Sequence, residues 1–166
     1  MNFLISLKEK KNYFLKKENI YYSVLIIIIF FLDRYSKFLV INNFSETTYY
    51  INKYFNLDLI WNIGIGFGLL STNSLLFYNL VTLLIGIVIL SLFYISIISN
   101  KLDKLIYSII IGGALGNFSD RLIYKAVPDF IDLHYNNLHW FVFNVADIFI
   151  TLGIIALLIS SIIKKD

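Results

Sequence analysis

Residues Leu75 to Ile98 read LLFYNLVTLLIGIVILSLFYISII, with no Asp, Glu, Lys or Arg among them. A helix rises about 1.5 Å per residue, so a run of this length covers the roughly 30 Å of a bilayer's hydrocarbon core. Three more apolar runs of comparable length lie along the chain, at about Ile20 to Ile41, Leu105 to Ile123 and Val145 to Ile163. The chain is 58% hydrophobic, above the roughly 45 to 50% of soluble domains, and reads as an all-α membrane protein with four transmembrane helices. The first run follows Lys8, Lys10, Lys11, Lys16 and Lys17 as a secretory leader would. It is too long for a leader and no small-residue cleavage site follows it, so it is read as a helix of the mature protein.

Lysines set the orientation, because short cytoplasmic loops are enriched in them. They crowd the N-terminal tail, the connection at Lys101 and Lys104, and the end at Lys164 and Lys165, whereas the opposite side carries Lys53 with Glu46 and Asp58, and Lys125 with Asp129 and Asp132. Both termini are therefore expected in the cytoplasm. The expected organisation is a basic cytoplasmic tail over 1–19, one four-helix domain over 20–163 and a short cytoplasmic tail over 164–166. Partial alternation between Thr47 and Leu59 predicts short strands outside the membrane. The stretch Ile131 to Phe143, with Tyr135 and Trp140, is expected to be an interfacial amphipathic helix or loop.

Several function classes drop out. The chain has no cysteine, which removes disulfides, thiol nucleophiles and Cys-ligated zinc. Its net charge of +3 sits in short runs beside apolar segments, not along a basic face, so no nucleic-acid partner is expected. The glycine-rich Trp61 to Gly68 lacks the Gly-Lys-Ser/Thr ending of a phosphate loop. His134 and His139 lie five apart without a Glu-x-x-His arrangement, and no metal is expected.

The polar residues inside or beside the apolar runs converge on one side. With the first and third helices running outward, Asp33 and Lys37 lie in the outer half of the first. Asn62 and Gly64 precede the second, Asn117, Asp120 and Arg121 end the third, and Asn144 and Asp147 open the fourth. Asp129 lies in the loop between. Acids at such depth are costly and mark function by default. Asp33 with Lys37, Asn117 with Asp120 and Arg121, and Asn144 with Asp147 are spaced to share helix faces. Asp33 with Lys37 reads foremost as an ion pair pinning its helix, Asp120 and Arg121 as structural support, and Asn117 and Asn144 as hydrogen-bond partners to the chemistry. Gly112, Gly113 and Gly116 let another helix approach closely.

Five blocks carry a resemblance. Asp33-Arg34-Tyr35-Ser36-Lys37, Asn62-Ile63-Gly64-Ile65-Gly66-Phe67, Gly112 through Arg121, Val127-Pro128-Asp129-Phe130 and Phe143-Asn144-Val145-Ala146-Asp147 resemble, in order, the motif blocks of bacterial lipoprotein signal peptidase, the type II signal peptidase. Ile65 stands where that family has alanine, and Pro128 precedes the Asp-Phe pair. The resemblance implies an aspartic endopeptidase that removes the signal peptide of diacylglyceryl-modified prolipoproteins just before the lipidated cysteine. Asp129 and Asp147 map onto its catalytic pair, with Asp33, Lys37, Asn62, Gly64, Asn117, Asp120, Arg121 and Asn144 as substrate-binding or supporting residues. It further implies no cofactor, a monomer in the bacterial inner membrane with its site at the outer leaflet, and inhibition by globomycin-like peptides.

Two acids held close share a proton and titrate as a pair, which suits general acid and base work on a peptide bond. A proton-relay transporter built on Asp33, Asp120 and Asp147 is the competing reading, but the inner halves of the helices offer no ionisable route across. A non-catalytic scaffold would tolerate asparagine at both Asp129 and Asp147.

Overall fold

The structure, a computed structural model, describes residues 17–44, 47–64, 74–136 and 138–164. The basic tail before Lys17, Glu46, the Ile65 to Gly68 part of the glycine-rich block and Lys165 lie outside the described residues. In chain order the elements are α1 (Lys17–Asn43), β1 (Tyr49–Asn52), β2 (Phe55–Asn62), α2 (Leu75–Ile98), α3 (Lys101–Tyr124), β3 (Val127–Tyr135), β4 (Leu138–Phe143) and α4 (Val145–Ile163).

Helix starts follow from capping chemistry. Ser74, Asn100 and Asn144 each sit in extended backbone and accept a hydrogen bond from the backbone N–H three residues on, which satisfies one of the orphan donors of a helix N-terminus. At the end of α3, Lys125 takes the left-handed conformation at φ 58° and turns the chain into β3.

α3 packs against α1, α2 and α4 and is the centre of the bundle. Its glycines make this possible. A Cβ on Gly112 would lie 2.8 Å from Cβ of Ile29 in α1, one on Gly113 2.6 Å from the Ala146 carbonyl oxygen in α4, and one on Gly116 2.3 Å from Oδ2 of Asp33. The bundle is apolar outside and charged inside. Phe31, Tyr35 and Phe38 of α1 are exposed while Asp33 and Lys37 between them are fully buried. Water would favour the reverse, whereas lipid favours this arrangement. Among the described residues α2 and α4 are long and apolar enough to cross a membrane. α1 and α3, with 27 and 24 residues, have the length, but carry the buried charges.

The four strands form one antiparallel sheet in the order β1-β2-β3-β4. The strands expected between Thr47 and Leu59 are β1 and β2. The interfacial helix expected over Ile131 to Phe143 is not present: the end of β3 and the whole of β4 form a hairpin there. The physical reason is a period of two. Along β3, Phe130, Asp132 and His134 are buried while Ile131, Leu133 and Tyr135 are more open, and Asn136 at φ 52° supplies the turn. Pro128, which lacks an N–H, faces Trp61 of β2. β4 pairs with β3 only from Ile131 onward, so the proline lies where β3 is an edge on its second side.

Candidate active site

Asp129 lies in β3, next to the central β2–β3 pairing, and is 3% exposed. The expectation of a loop acid is therefore corrected, since the carboxylate is anchored on a strand and by two side chains. Asn62 Nδ2 donates to its Oδ2 at 2.8 Å and Asn144 Nδ2 to its Oδ1 at 2.6 Å. Asn62 is itself fixed, because its Oδ1 accepts from the Gly64 N–H at 2.8 Å. Burial pushes the Asp129 carboxyl up to about 6, helped by the nearby charge of Asp147, against the opposing pull of the two asparagine amides and Lys37.

Asp147 opens α4. Asn144 and Asp147 form a reciprocal capping box, with the Asp147 N–H donating to Asn144 Oδ1 and the Asn144 N–H to Asp147 Oδ2, both at 3.1 Å. The other oxygen, Oδ1, accepts from Asn117 Nδ2 at 2.8 Å. Asn144, fully buried, thus touches both acids: its amide nitrogen holds Asp129 and its oxygen and backbone hold Asp147.

Beside this pair lies a cluster of full charges. Lys37 Nζ donates to Asp33 Oδ2 at 2.8 Å, Asn117 Oδ1 at 2.8 Å and Asp120 Oδ2 at 2.6 Å. Arg34 pairs with the other oxygen of Asp120 and lies over the Tyr124 ring. Asp33 Oδ1 accepts from the Ala146 N–H at 2.9 Å, so an α1 carboxylate sits at the N-terminus of α4, where the helix dipole favours negative charge. Arg121 donates to the Gly64 carbonyl at 2.9 Å and to the Asn117 carbonyl at 3.3 Å, tying the strand end of β2 to α3.

The ten residues singled out from the sequence, Asp129, Asp147, Asp33, Lys37, Asn62, Gly64, Asn117, Asp120, Arg121 and Asn144, are therefore linked through one hydrogen-bonded cluster. Sequence reading passed over Arg34, which belongs to it, and Tyr78, whose hydroxyl donates to the Arg121 carbonyl at 3.4 Å. The signal for Tyr78 was present. Tyr78 and Thr82 are four apart in an otherwise apolar run, and both are buried. A cavity of about 290 Å³ opens beside Asp147, lined by Phe141, Phe143, Ile148, Thr151 and Leu152. Its lining comes partly from β4, so it was hidden when that strand was read as a helix.

An apolar-outside bundle with two amide-held acids beside a buried charged cluster defines a membrane protein whose buried charged residues are gathered at one end. Comparison with known proteins narrows the class. The model of the signal peptidase (SPase) II family matches residues 25–163, and the chain belongs to that family of membrane peptidases. It is 45% identical over 139 residues to the lipoprotein signal peptidase of Pelagibacter ubique (strain HTCC1062), covering 82% of this chain and 84% of that protein. It is 37% identical over 150 residues to the lipoprotein signal peptidase of Francisella tularensis subsp. novicida (strain U112), covering 87% and 92%. In fold it resembles a bacterial membrane enzyme solved by the in meso method at 2.3 Å resolution, with a TM-score of 0.74 at 24% identity over 87% of this chain and 89% of that one.

Proposed function

We propose that this protein is an aspartic endopeptidase that removes the signal peptide from diacylglyceryl-modified prolipoproteins, cutting before the lipidated cysteine, with Asp129 and Asp147 as the catalytic pair. The observation that carries the reading is Asn144, which binds both carboxyls at once and so fixes two acids against each other. The raised Asp129 carboxyl keeps one proton available near neutral pH. The ionised member takes a proton from water as it attacks the scissile carbonyl. The protonated member polarises that carbonyl and then protonates the departing amine. Asn62, Asn117 and Asn144 hold the pair, and Lys37, Asp33, Asp120 and Arg121 hold the asparagines and Gly64. No cofactor takes part.

All four helices cross the cytoplasmic membrane of a bacterium, with 1–19 and 164–166 as cytoplasmic tails around a single 20–163 catalytic domain, and the acids at the outer leaflet. The apolar cavity beside Asp147 suits a substrate that enters sideways from lipid, and the same groove is where globomycin-like peptides bind to a monomeric enzyme. The test is cleavage of a synthetic diacylglyceryl prolipoprotein in detergent with chelator present. Wild type cleaves, and folded Asp129→Asn and Asp147→Asn lose on the order of 100-fold or more, the scale of general acid–base catalysis. Undiminished cleavage by either variant would remove the pair from the chemistry.

A further inference from the structure

The hairpin β3–β4 brings together three metal-binding side chains on the strand face opposite Asp129. Asp132 and His134 are two apart on β3 and share a face, whereas Asp129 lies an odd number of positions from Asp132 and points the other way. His139 of β4 is the direct cross-strand partner of His134. The pairing shifts by one residue between Leu133 and His134, and the two imidazoles stack with centroids 5.3 Å apart. Five residues of separation, uninformative on a helix, become adjacency across a turn.

From this geometry we infer that Asp132, His134 and His139 form a binding site for one divalent transition-metal ion of the zinc or cobalt type. A donor atom from each of the three lies within 4.8 Å of the others. Asp132 Oδ2 is 2.7 Å from His139 Nδ1 and 3.6 Å from His134 Nδ1. Donors around a tetrahedral zinc at about 2.0 to 2.1 Å stand about 3.3 Å apart, so small side-chain shifts suffice. Two atoms in the cluster call for a ligand. His134 is 6% exposed and its Nδ1 has no hydrogen-bond partner among the described residues, and Asp132 is 2% exposed with Oδ1 likewise unpartnered. Buried polar groups left so are uncommon. His139 is exposed, which gives an ion its way in and leaves positions for water. Two imidazoles and one carboxylate suit borderline first-row ions over magnesium or calcium. Bound there, the ion clamps β3 to β4 about 10 Å along the strand from Asp129, outside the peptidase chemistry.

The chain has two histidines and no cysteine, so an imidazole-bound metal reports this site alone. The experiment uses the full chain, purified through a tag without histidine and stripped with chelator. Cobalt(II) is titrated and followed by its visible ligand-field absorption, with zinc then used to displace it. The expected result is one equivalent bound with tetrahedral-type intensity, displaced by zinc, and at least tenfold weaker in His139→Ala, whose exposed side chain is not needed for folding. Asp132→Asn is expected to weaken binding as well. Absence of stoichiometric cobalt binding by folded wild type, or equal affinity in His139→Ala, would overturn the site and leave Asp132 and His139 as an ordinary hydrogen-bonded pair.

Discussion

Lys37→Met tests whether the charged cluster supports the acids beside it. Methionine has nearly the length of lysine and fills its place in the bundle, so the change removes charge with little loss of volume. Three hydrogen bonds disappear, to Asp33, Asn117 and Asp120. At about 0.6 to 1.7 kcal/mol for each interhelical bond in a membrane, the two to α3 sum to about 1 to 3 kcal/mol. The cost of stripping the partner from a buried ion pair, about 3 to 5 kcal/mol, is the larger figure and already contains these bonds. For a chain of this size each kcal/mol moves the melting midpoint by about 2 to 4 °C, so Lys37→Met should melt at least about 6 °C lower in detergent by tryptophan fluorescence. Activity should fall as well, and chiefly in kcat. Lys37 holds the Asn117 oxygen, which obliges the Asn117 amide nitrogen to face Asp147. Without the lysine that amide can turn over. Leu39→Met, an exposed position on the same helix, serves as control and should match wild type in both assays. A Lys37→Met protein melting within about 2 °C of wild type with unchanged kcat would refute the reasoning.

Four further outcomes follow from the same geometry. Cleavage should fall with pH on an alkaline limb centred near pH 6, where the Asp129 carboxyl gives up the proton the reaction uses, and kcat/KM measured from pH 4 to 8 locates it. Stability should run the same way: a carboxyl raised from 3.8 to about 6 favours folding below its unfolded value and loses that advantage, about 3 kcal/mol at most, as pH climbs from about 4 through 6, visible as melting midpoints that fall across that window. Gly116→Ala should destabilise by about 1 to 3 kcal/mol and depress activity, since its methyl would displace the Asp33 carboxylate, whereas Gly86→Ala, whose methyl would meet only a ring edge of Phe118 at 3.3 Å, should be milder in a paired thermal scan. Asn144→Asp keeps a good helix cap but turns the donor that holds Asp129 into an acceptor, so cleavage should collapse while the helix content read by circular dichroism stays.

Much of the site was legible because its pairs obey helical spacing. Asp33 and Lys37 lie one turn apart, and Asn144 and Asp147 carry the spacing of a capping box, so local rules alone place each pair together. The joins between elements were not legible. Nothing in α1 says that Asp33 will reach the Ala146 N–H of α4, or that Lys37 will satisfy Asp120 in α3. Those contacts exist because Gly112, Gly113 and Gly116 lower the wall between helices, and glycine spacing reports closeness without naming the partner. The hairpin was misread for a different reason. Aromatic residues and a tryptophan drew the reading toward an interfacial helix, while the stronger local signal was two asparagines, Asn136 and Asn137, between alternating runs. Missing it also hid the adjacency of His134 and His139.

The arrangement explains how the bundle holds so many ionisable groups and still leaves Asp129 able to take up a proton. Asp33 and Asp120 face Lys37 and Arg34, two acids against two bases, so this cluster is close to neutral as a unit and stays folded in lipid. Had such a cation been placed directly on Asp129, its charge would have held that carboxyl low and ionised. Instead both Asp129 oxygens meet neutral amides, which orient the group without cancelling its charge, and burial then raises its affinity for a proton. Asn117 couples the cluster to the acids, accepting from Lys37 and donating to Asp147. Orientation is thus passed on through an amide while the charge of Lys37 is the smallest of the influences on Asp129, and for that reason a change at Lys37 should reach the acids through their geometry more than through their electrostatics.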